Sequence, residues 1–536
     1  MPGVADDVVS RMRAAGVRMI FGLPGGGGNL DIVDAAARAD LPFVLTATET
    51  GSAIAALAQA EVTRAPGACI TTLGPGAASV VNGVACASLD RAPLVVVTDS
   101  HPSTAGAFAH QRLDHRALLA PVTKWSGCLA GDSAAEALDE GFARLADLPP
   151  GPVHFDWPGS DRGQTGVKPG SDQGQTTPWH RSDPGLTPVE PRSDPGLTPA
   201  ARKPLLIVGL AARRAEDAAA IRAFCESRGV PALVTYKAKG VVPDTHPWFG
   251  GVFTHGALER ALVSQADLLI GVGFDPVEIL PRAWDYPQPI VSIAPWRMAD
   301  DHVPFQSQIV GDIVSALGDL SVQLPASDWD VTDVRASVES AKAAVDISAR
   351  GMTAQDTIRI AARLCSARSL VTVDAGAHMF PATLLWPVSE PNGLLISNGL
   401  STMGFALPAA IGAALADRGR TVVALTGDGG LLICLGELAT AVRERLRIIT
   451  IVFNDASLSL IEIKQQARQL APGGLALGAI EWKRIAQGFG LTAWSASSAR
   501  ELETAVTSAM DVDGPTLIEA RIDRSNYAAT LKAIRG

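Results

Sequence analysis

Cysteines, aromatic residues and long apolar runs are all scarce in this sequence of 536 residues. The six cysteines lie far apart and include no CxxC pair, which argues against both a disulfide framework and a zinc site. No apolar run reaches the roughly 20 residues that are needed to cross a membrane. The N-terminal residues form an amphipathic pattern with early acidic side chains, unlike a signal peptide. We therefore expect a soluble, cytoplasmic protein without a membrane partner.

Positive charge is also in short supply. With 45 lysines and arginines against 55 aspartates and glutamates, the net charge is −10 at pH 7. A nucleic-acid partner would require a basic surface, so we expect none. Hydrophobic residues make up 47% of the chain, which is enough to form large cores. The length suits roughly three to four domains of ordinary size.

Apolar strand-like runs alternate with helical stretches along most of the chain, as at residues 43–45, 68–71 and 94–98. This alternation predicts βαβ units and parallel sheets. We therefore predict an α/β fold with three consecutive α/β domains and mainly parallel sheets. The predicted divisions are a first domain at residues 1–160, a linker at 161–202, a middle domain at 203–325 and a third domain at 350–536.

The predicted linker differs in composition from the rest of the chain. It is rich in glycine, proline, serine, aspartate and glutamine, and the sequence RSDPGLTP occurs in it twice, at residues 181–188 and 192–199. A segment with so little apolar content cannot form a packed core, which predicts an exposed linker. We interpret the repeat as a local duplication in a tolerant loop.

The third domain contains the most informative segment, in which two apolar runs end in polar turns. The first run ends at Gly427-Asp428-Gly429-Gly430, and the second ends at Asn454-Asp455. Ligands bind at strand ends of open parallel sheets, and glycines there let backbone N–H groups approach a ligand closely. Asp428 and Asp455, with Ser457 beside them, are candidate ligands of Mg²⁺, which is usually held by carboxylates and phosphate oxygens. The alternative is an ordinary βαβ unit with two polar turns.

These two turns resemble the GDG…N motif of thiamine-diphosphate-dependent enzymes, in which Mg²⁺ bridges the protein to the diphosphate. The resemblance makes the glycines of the first turn cofactor-binding residues. Residues 397–410 resemble a second motif of that family. By position, Met403 matches the apolar residue that holds the cofactor in its bent form, and Ser401 matches the residue whose carbonyl meets the amino group. A methionine before a glycine-rich turn is otherwise a core residue. His378, in a turn resembling one near the diphosphate, is either a ligand contact or a structural histidine.

The first domain contains a matching set of features. Glu49 follows an apolar strand and begins a helix of small residues, and GPGA follows at residues 74–77. A glutamate at a helix start is often only a favourable first-turn charge. In the resembling family, however, the glutamate of the pyrimidine-binding domain bonds the aminopyrimidine ring and favours the tautomer that activates the thiazolium. The resemblance makes Glu49 catalytic and Gly76 cofactor-binding, and Pro24 and Gly25 match the family's first strand–turn.

Two further stretches resemble the FAD-independent, catabolic type of acetolactate synthase. AHQRLD at residues 109–114 resembles a loop whose glutamine lies near the reactive thiazolium, which makes Gln111 and His110 candidate catalytic residues. His110 is otherwise a polar loop residue. GFDPVE at 273–278 resembles another motif of the flavin-free enzymes, so we expect no FAD. Lys464 departs from the Glu-Phe-Gln run of that synthase, which leaves the acceptor side of the site open.

The resemblance covers nearly the whole chain, in the order pyrimidine-binding, middle and diphosphate-binding domain. It implies thiamine diphosphate and Mg²⁺ as cofactors, decarboxylation of a 2-oxo acid, and carboligation to a carbonyl acceptor as in acetolactate synthase. The alternatives are a simple 2-oxoacid decarboxylase that releases an aldehyde, and a non-catalytic member that only binds the cofactor. The resemblance also implies a homodimer or homotetramer, in which each active site combines the first domain of one subunit with the third domain of another.

Overall fold

The computed structural model describes residues 3–102, 105–106, 108–158, 201–279, 282–299, 301–365 and 368–536. Its strands form three six-stranded sheets whose strand pairings are parallel, which confirms the predicted α/β fold. Most of the predicted linker, including both copies of its repeat, lies outside the described residues, and the exact domain boundaries stay predictions. No helix within the described ranges is long and apolar enough to cross a membrane.

The first sheet has the strand order β2-β1-β3-β4-β6-β5. Its strands are buried on most positions, as expected where helices cover both faces of a parallel sheet. The strands are β1 (Ile20–Leu23), β2 (Phe43–Leu45), β3 (Gly67–Thr71), β4 (Leu94–Asp99), β5 (Trp125–Cys128) and β6 (Pro152–Trp157). The helices are α1 (Val4–Ala14), α2 (Asn29–Arg38), α3 (Glu49–Thr63), α4 (Pro75–Leu89), α5 (His115–Leu119) and α6 (Ala134–Ala146).

The middle sheet has the order β12-β11-β10-β7-β8-β9, which is the strand order of dinucleotide-binding folds. Its strands are β7 (Pro204–Val208), β8 (Ala232–Val234), β9 (Phe249–Val252), β10 (Leu268–Val272), β11 (Ile290–Ala294) and β12 (Phe305–Val310). Its helices are α7 (Ala215–Arg228), α8 (Arg260–Val263), α9 (Ile313–Gln323) and α10 (Val331–Val345). Helix α10 lies between the predicted middle and third domains, and it buries Val334, Val338 and Val345 along one side.

The third sheet has the order β14-β13-β15-β16-β18-β17, which repeats that of the first sheet. Its strands are β13 (Leu370–Val373), β14 (Leu394–Ile396), β15 (Val422–Gly427), β16 (Ile448–Asn454), β17 (Thr492–Ala496) and β18 (Thr516–Arg521). Its helices are α11 (Ala354–Leu364), α12 (Met379–Leu385), α13 (Ala406–Ala416), α14 (Asp428–Ile433), α15 (Glu437–Arg443), α16 (Ser459–Ala467), α17 (Trp482–Phe489), α18 (Ala499–Met510) and α19 (Tyr527–Arg535). The strand order reverses between β13 and β15, and ligands bind beside such a switch point.

Helices α3 and α13 join the first and third sheets in a shared hydrophobic core, which includes Phe21, Leu57 and Ile411. The two helices approach so closely that a Cβ atom on Gly412 would lie 2.0 Å from the carbonyl oxygen of Ala55. Only glycine permits this contact. The packing therefore fixes the start of α3 relative to the third sheet of the same chain.

A buried group of charges ties the middle sheet to the other two. Lys237 Nζ lies 2.7 Å from Glu61 Oε1 and 3.3 Å from Asp90 Oδ2, and it donates to the carbonyl of Ile396 at 3.1 Å. Arg213 donates to the same Glu61 oxygen at 2.7 Å. Burial disfavours the ionised form of Glu61, but the charges of Lys237 and Arg213 outweigh burial and hold the pKa of this carboxyl below its usual range. The cluster anchors the end of β14, from which the turn containing Ser401 begins.

The buried carboxyl of Glu278, beside the middle sheet, should make the free energy of unfolding depend on pH. Its buried carboxyl accepts the backbone N–H of Leu210 at 2.8 Å and the hydroxyl of Thr235 at 2.5 Å. Burial raises the pKa of Glu278 from 4.5 to about 8. Between these two values the native state holds a proton that the unfolded state has lost, so the free energy of unfolding falls as the pH rises through this window. We expect Glu278→Gln to remove this fall, which corresponds to about 1.4 kcal/mol for each unit of pKa difference.

Urea denaturation of the parent and of Glu278→Gln at about pH 5 and about pH 9 measures this difference in pH dependence. The variant should gain stability relative to the parent at the higher pH. Glu216→Gln, which changes an exposed glutamate at the start of α7, is the matched control and should follow the parent. Parallel profiles for the parent and Glu278→Gln would show that Glu278 is ionised in the native state.

Candidate active site

A cavity of about 370 Å³ opens beside the C-terminal ends of β13, β15 and β16. All of its lining residues lie between Ala375 and Arg535. The cavity is lined by every site residue predicted in the third domain: His378, Ser401, Met403, Gly427, Asp428, Gly429, Gly430, Asp455 and Ser457. The structure therefore brings these residues together at the switch point of the third sheet.

The two carboxylates among the predicted metal ligands are held by hydrogen bonds at neighbouring strand ends. Asp428 begins α14 and is buried; its Oδ1 accepts the N–H of Gly429 at 2.8 Å and its Oδ2 accepts the N–H of Ala456 at 2.8 Å. Asp455 follows β16, and its Oδ2 accepts the hydroxyl of Ser459 at 2.8 Å. Each oxygen keeps a second lone pair, so hydrogen bonding does not prevent either carboxylate from binding a cation.

The electrostatics of this pair favour a cation. Burial, followed by the charge of Asp455, raises the pKa of Asp428 to about 6, and burial also raises the pKa of Asp455. No group of three or more His, Cys, Asp or Glu side chains arranged for metal binding occurs in the described part of the chain. Two carboxylates suit Mg²⁺, which takes its other ligands from water and from phosphate oxygens. The hydroxyl of Ser457 donates to Glu462 at 2.8 Å, so its predicted part in metal binding stays a prediction.

His378 presents an unsatisfied polar atom to the same cavity. Its Nε2 is buried and has no hydrogen-bond partner, and its ring stacks on Phe453 with 4.8 Å between centroids. Burial lowers the pKa of His378 to about 4, so the ring is neutral at physiological pH. A buried polar atom without a partner is costly, and a bound polar ligand would supply the missing hydrogen bond. The residues present therefore fit a diphosphate held by a divalent cation.

Asp374 organises this site, a role that the sequence did not reveal. Its side chain is fully buried and accepts the hydroxyl of Thr426 at 2.8 Å, the N–H of Gly404 at 3.2 Å and the N–H of Phe405 at 3.3 Å. A Cβ atom on Gly430 would lie 2.4 Å from the same carboxyl, so the glycine turn packs directly against it. Asp374 thus joins the ends of β13 and β15 to the turn before α13.

The turn that contains Ser401 and Met403 has an unusual backbone. Ser401 has φ of 52°, in the left-handed region, which costs a non-glycine residue about 1 kcal/mol or more. Met403 extends over the glycine turn, with its Cε 3.3 Å from where a Cβ on Gly429 would lie. Ile433, with 57% of its surface exposed, lies next to Gly404 at the same place. An apolar surface therefore borders the mouth of the cavity.

The site residues predicted in the first domain lie together on the C-terminal edge of the first sheet. Glu49 is the first residue of α3, and its Oε1 lies 3.2 Å from where a Cβ on Gly76 would be. Pro24 and Gly25 follow β1, where Gly25 packs against Thr72. These residues form a second group, separate from the cavity of the third sheet within one chain.

His110 and Gln111 belong to an exposed loop beside this second group. The carbonyl of His110 accepts a hydrogen bond from His101 at 2.7 Å. Gln111 has φ of 59°, and its carbonyl oxygen lies 2.4 Å from where a Cβ on Gly74 would be. The loop therefore rests on the turn that leads to Gly76, and the catalytic roles of both residues stay predictions.

Glu437 is a second residue whose position the sequence did not reveal. It is buried on α15, and its carboxyl accepts the N–H groups of Ala47 and Thr48 at 3.1 to 3.2 Å and the hydroxyl of Thr440 at 2.9 Å. Thr48 in turn caps α3 by accepting the N–H of Gly51 at 2.9 Å. The third domain thereby holds the segment just before Glu49, through a contact between residues almost 400 positions apart.

Each of the three α/β units of this fold matches a domain of a known protein family. A thiamine pyrophosphate enzyme N-terminal TPP binding domain matches residues 3–118, the central domain matches 199–320, and the C-terminal TPP binding domain matches 374–520. The chain belongs to the thiamine pyrophosphate enzyme family. The match confirms the family that the sequence motifs resembled, and thiamine diphosphate as the cofactor of its two outer domains.

The curated relatives of this thiamine pyrophosphate enzyme cover nearly its whole length. The catabolic acetolactate synthase of Raoultella terrigena is 28% identical over 97% of this chain and 95% of its own. The large subunit of acetolactate synthase isozyme 1 from Escherichia coli strain K12 is 29% identical over 97% of this chain and 94% of its own length. A probable 2-ketoarginine decarboxylase, AruI, from Pseudomonas aeruginosa is 28% identical over 94% of this chain and 91% of its own length. The relatives thus include both acetolactate synthases and a probable decarboxylase.

Proposed function

We propose that this protein is a Mg²⁺-dependent thiamine diphosphate enzyme that decarboxylates a 2-oxo acid and joins the product to a carbonyl acceptor, as an acetolactate synthase does. The observation that supports this most is the cavity of the third sheet. It combines two carboxylates with raised pKa values, a glycine turn and an unpartnered histidine nitrogen at a switch point.

In this proposal, Asp428 and Asp455, with Ser457, hold the cation, while His378 and the glycine turn hold the diphosphate. When bound, thiamine diphosphate supplies a thiazolium that accepts the electrons released by decarboxylation. Met403 would support the cofactor, and the carbonyl of Ser401 would accept a hydrogen bond from its amino group. The strained backbone of Ser401 supports a functional role there, because such strain is retained where it positions a ligand.

Glu49 would hold a proton at the aminopyrimidine ring, and Gln111 and His110 would border the reacting atoms. The lining of the cavity lies between Ala375 and Arg535, which supports the proposal that these first-domain residues come from another subunit. Exposed apolar side chains support such an interface, including Phe108 in the His110 loop and Ile433 beside the cavity. We therefore propose a homodimer, or a homotetramer of two such dimers, with shared active sites.

Two basic side chains suit the carboxylate of a 2-oxo acid. Lys464 and Arg535 both line the cavity, and Arg535 has a buried Nε without a hydrogen-bond partner. Glu462, which is close to Lys464 in sequence, is already paired with Arg524 at 2.6 Å. Positive charge in the cavity therefore remains available to an anionic substrate. Pyruvate, with acetolactate as product, is the single substrate that we propose first.

Incubation with pyruvate, Mg²⁺ and thiamine diphosphate tests this assignment, with products identified by NMR. We expect acetolactate as the main product. Acetaldehyde alone would instead support a simple decarboxylase, the second candidate, which the similarity to AruI also favours. If no 2-oxo acid is turned over although calorimetry detects tight binding of the cofactor, the protein is a non-catalytic member of the family.

We also propose that the enzyme contains no flavin. At the switch point of the middle sheet, the Glu278 carboxyl accepts the N–H of Leu210, where a dinucleotide fold would present that donor to a phosphate. The neighbouring Asp275 accepts hydrogen bonds from Val277 and from Arg91 of the first domain. The GFDPVE segment is thus engaged in internal contacts. Absorbance near about 450 nm in the purified protein, a property of flavins, would contradict this proposal.

A further inference from the structure

A buried histidine supports the turn on which the first-domain site residues rest. The backbone N–H of Gly74 donates to His115 Nε2 at 3.0 Å. His115 Nδ1 lies 3.0 Å from Asp156 Oδ1, and the Thr98 hydroxyl donates to the same oxygen at 3.0 Å. His115 is the first residue of α5, whereas Thr98 and Asp156 are paired positions of β4 and β6. The imidazole therefore connects the sheet to the turn.

The direction of these bonds determines the protonation state of the ring. A backbone N–H can only donate, so Nε2 must offer a lone pair to Gly74. A neutral imidazole then carries its proton on Nδ1, and this N–H donates a hydrogen bond to the carboxylate of Asp156. Uptake of a second proton would place an N–H on Nε2, directly against the N–H of Gly74. The bond to the turn therefore exists only while His115 is neutral.

The turn supported by His115 contacts both Gln111 and Glu49. Gly74 has φ of 62° and is packed against the carbonyl of Gln111. Two residues later, Gly76 packs against the carboxylate of Glu49. A shift of this turn would move the Gln111 loop and the surface that supports Glu49 together.

We propose that neutral His115 is a positioning residue, which holds the turn at residues 74–76 in the conformation that aligns Glu49 and Gln111, and that protonation of its ring releases this turn. The effect on catalysis rests on the proposed function, because it assumes that Glu49 acts on the cofactor. The effect on the turn does not.

Other ionisable groups surround the imidazole, and each can be separated from it. Burial lowers the pKa of His154 on β6 to about 4, so this neighbour stays neutral. Burial raises the pKa of Asp99 on β4 to about 7, and burial raises the pKa of Cys128 on β5. Arg116 follows on α5, and Asp156 is the direct partner, whereas α4 carries no charged residue. Asp99 is therefore the neighbour whose titration must be distinguished from the effect of the His115 hydrogen bond.

The first experiment measures the turn itself by hydrogen–deuterium exchange of the peptide spanning residues 72–78, in the cofactor-free protein. We expect about tenfold faster exchange at Gly74 in His115→Ala than in the parent. His115→Gln should restore protection, because its amide oxygen can accept the Gly74 N–H. His302→Gln, which changes an exposed histidine of the middle domain, is the control and should not differ from the parent.

The same measurement across pH keeps the test decisive even if His115→Ala fails to fold. After correction for intrinsic exchange, protection of Gly74 in the parent should be lost on the acid side, and His115→Gln should retain it. Because a charge on His115 also lowers the pKa of Asp99, Asp99→Asn separates the two groups, and this variant should keep the acid-side loss of protection. Equal pH profiles in the parent and His115→Gln would overturn the proposal.

Kinetics then test the catalytic consequence. In His115→Ala we expect kcat to fall about tenfold, with less than about a threefold change in the affinity for thiamine diphosphate. His115→Gln should recover most of kcat at neutral pH and lose the acid-side decline. Unchanged exchange and unchanged kcat in a folded His115→Ala would show a merely structural residue. An inactive parent enzyme with the expected exchange result would instead refute the proposed function alone.

Discussion

Replacing Asp428 by alanine is expected to lower the affinity for thiamine diphosphate at least about tenfold, or about 1.4 kcal/mol. The diphosphate is strongly anionic, and a cation held at the strand ends would neutralise it beside the two carboxylates. Asp428 is buried and is held by the N–H groups of Gly429 in α14 and of Ala456, which follows β16. The fold should survive, because the substitution also removes repulsion from Asp455. Calorimetric titration with thiamine diphosphate at fixed Mg²⁺ measures the change.

Two further variants show whether charge is what matters. Asp428→Asn keeps the shape of the side chain and one acceptor oxygen, but it removes the negative charge, so we expect nearly the same loss as with alanine. Asp513→Ala, which changes an exposed aspartate before β18, should bind as the parent does. In both Asp428 variants, binding should also lose its dependence on Mg²⁺ concentration. Affinity equal to that of the parent would mean that the diphosphate site lies elsewhere.

The sequence was sufficient to predict which residues meet at this edge of the third sheet, because each lies in a short segment directly after a strand. Asp428 and Asp455 each follow an apolar strand directly, and parallel strands place such ends along one edge of a sheet. Residues 397–403 reach the same edge because they follow β14 in the same way. The alternation of strands and helices likewise predicted the three parallel sheets.

The contacts that hold the two groups of site residues in place could not be predicted, because they depend on tertiary packing. Nothing near Glu437 in sequence indicates that its carboxyl binds the backbone before Glu49. Asp374 looks like an ordinary turn residue until its hydrogen bonds to Thr426, Gly404 and Phe405 are seen. His115 resembles a polar residue at a helix start, yet it is buried against Asp156. Each role arises from residues far apart in sequence, which single-sequence patterns do not contain.

Mixing Glu49→Gln and Asp428→Ala subunits, each inactive alone, is expected to restore about a quarter of the parent activity. Within one chain, α3 and α13 are locked together, and Glu437 holds the segment before Glu49. These contacts hold Glu49 outside the cavity of its own third domain, and in the proposed dimer a partner subunit supplies it. Random exchange places half of the subunits in hybrid dimers, and each hybrid has one site with both residues intact and one with neither.

Co-expression with two different affinity tags allows the hybrid to be isolated and assayed directly for turnover of a 2-oxo acid. The matched control pairs Glu49→Gln with the double variant Glu49→Gln/Asp428→Ala, in which every possible site lacks the glutamate. That mixture should remain inactive although it assembles in the same way. An isolated hybrid with no more activity than its parent variants would place Glu49 and Asp428 of each active site in the same chain, and light scattering that finds only monomers would exclude shared sites independently.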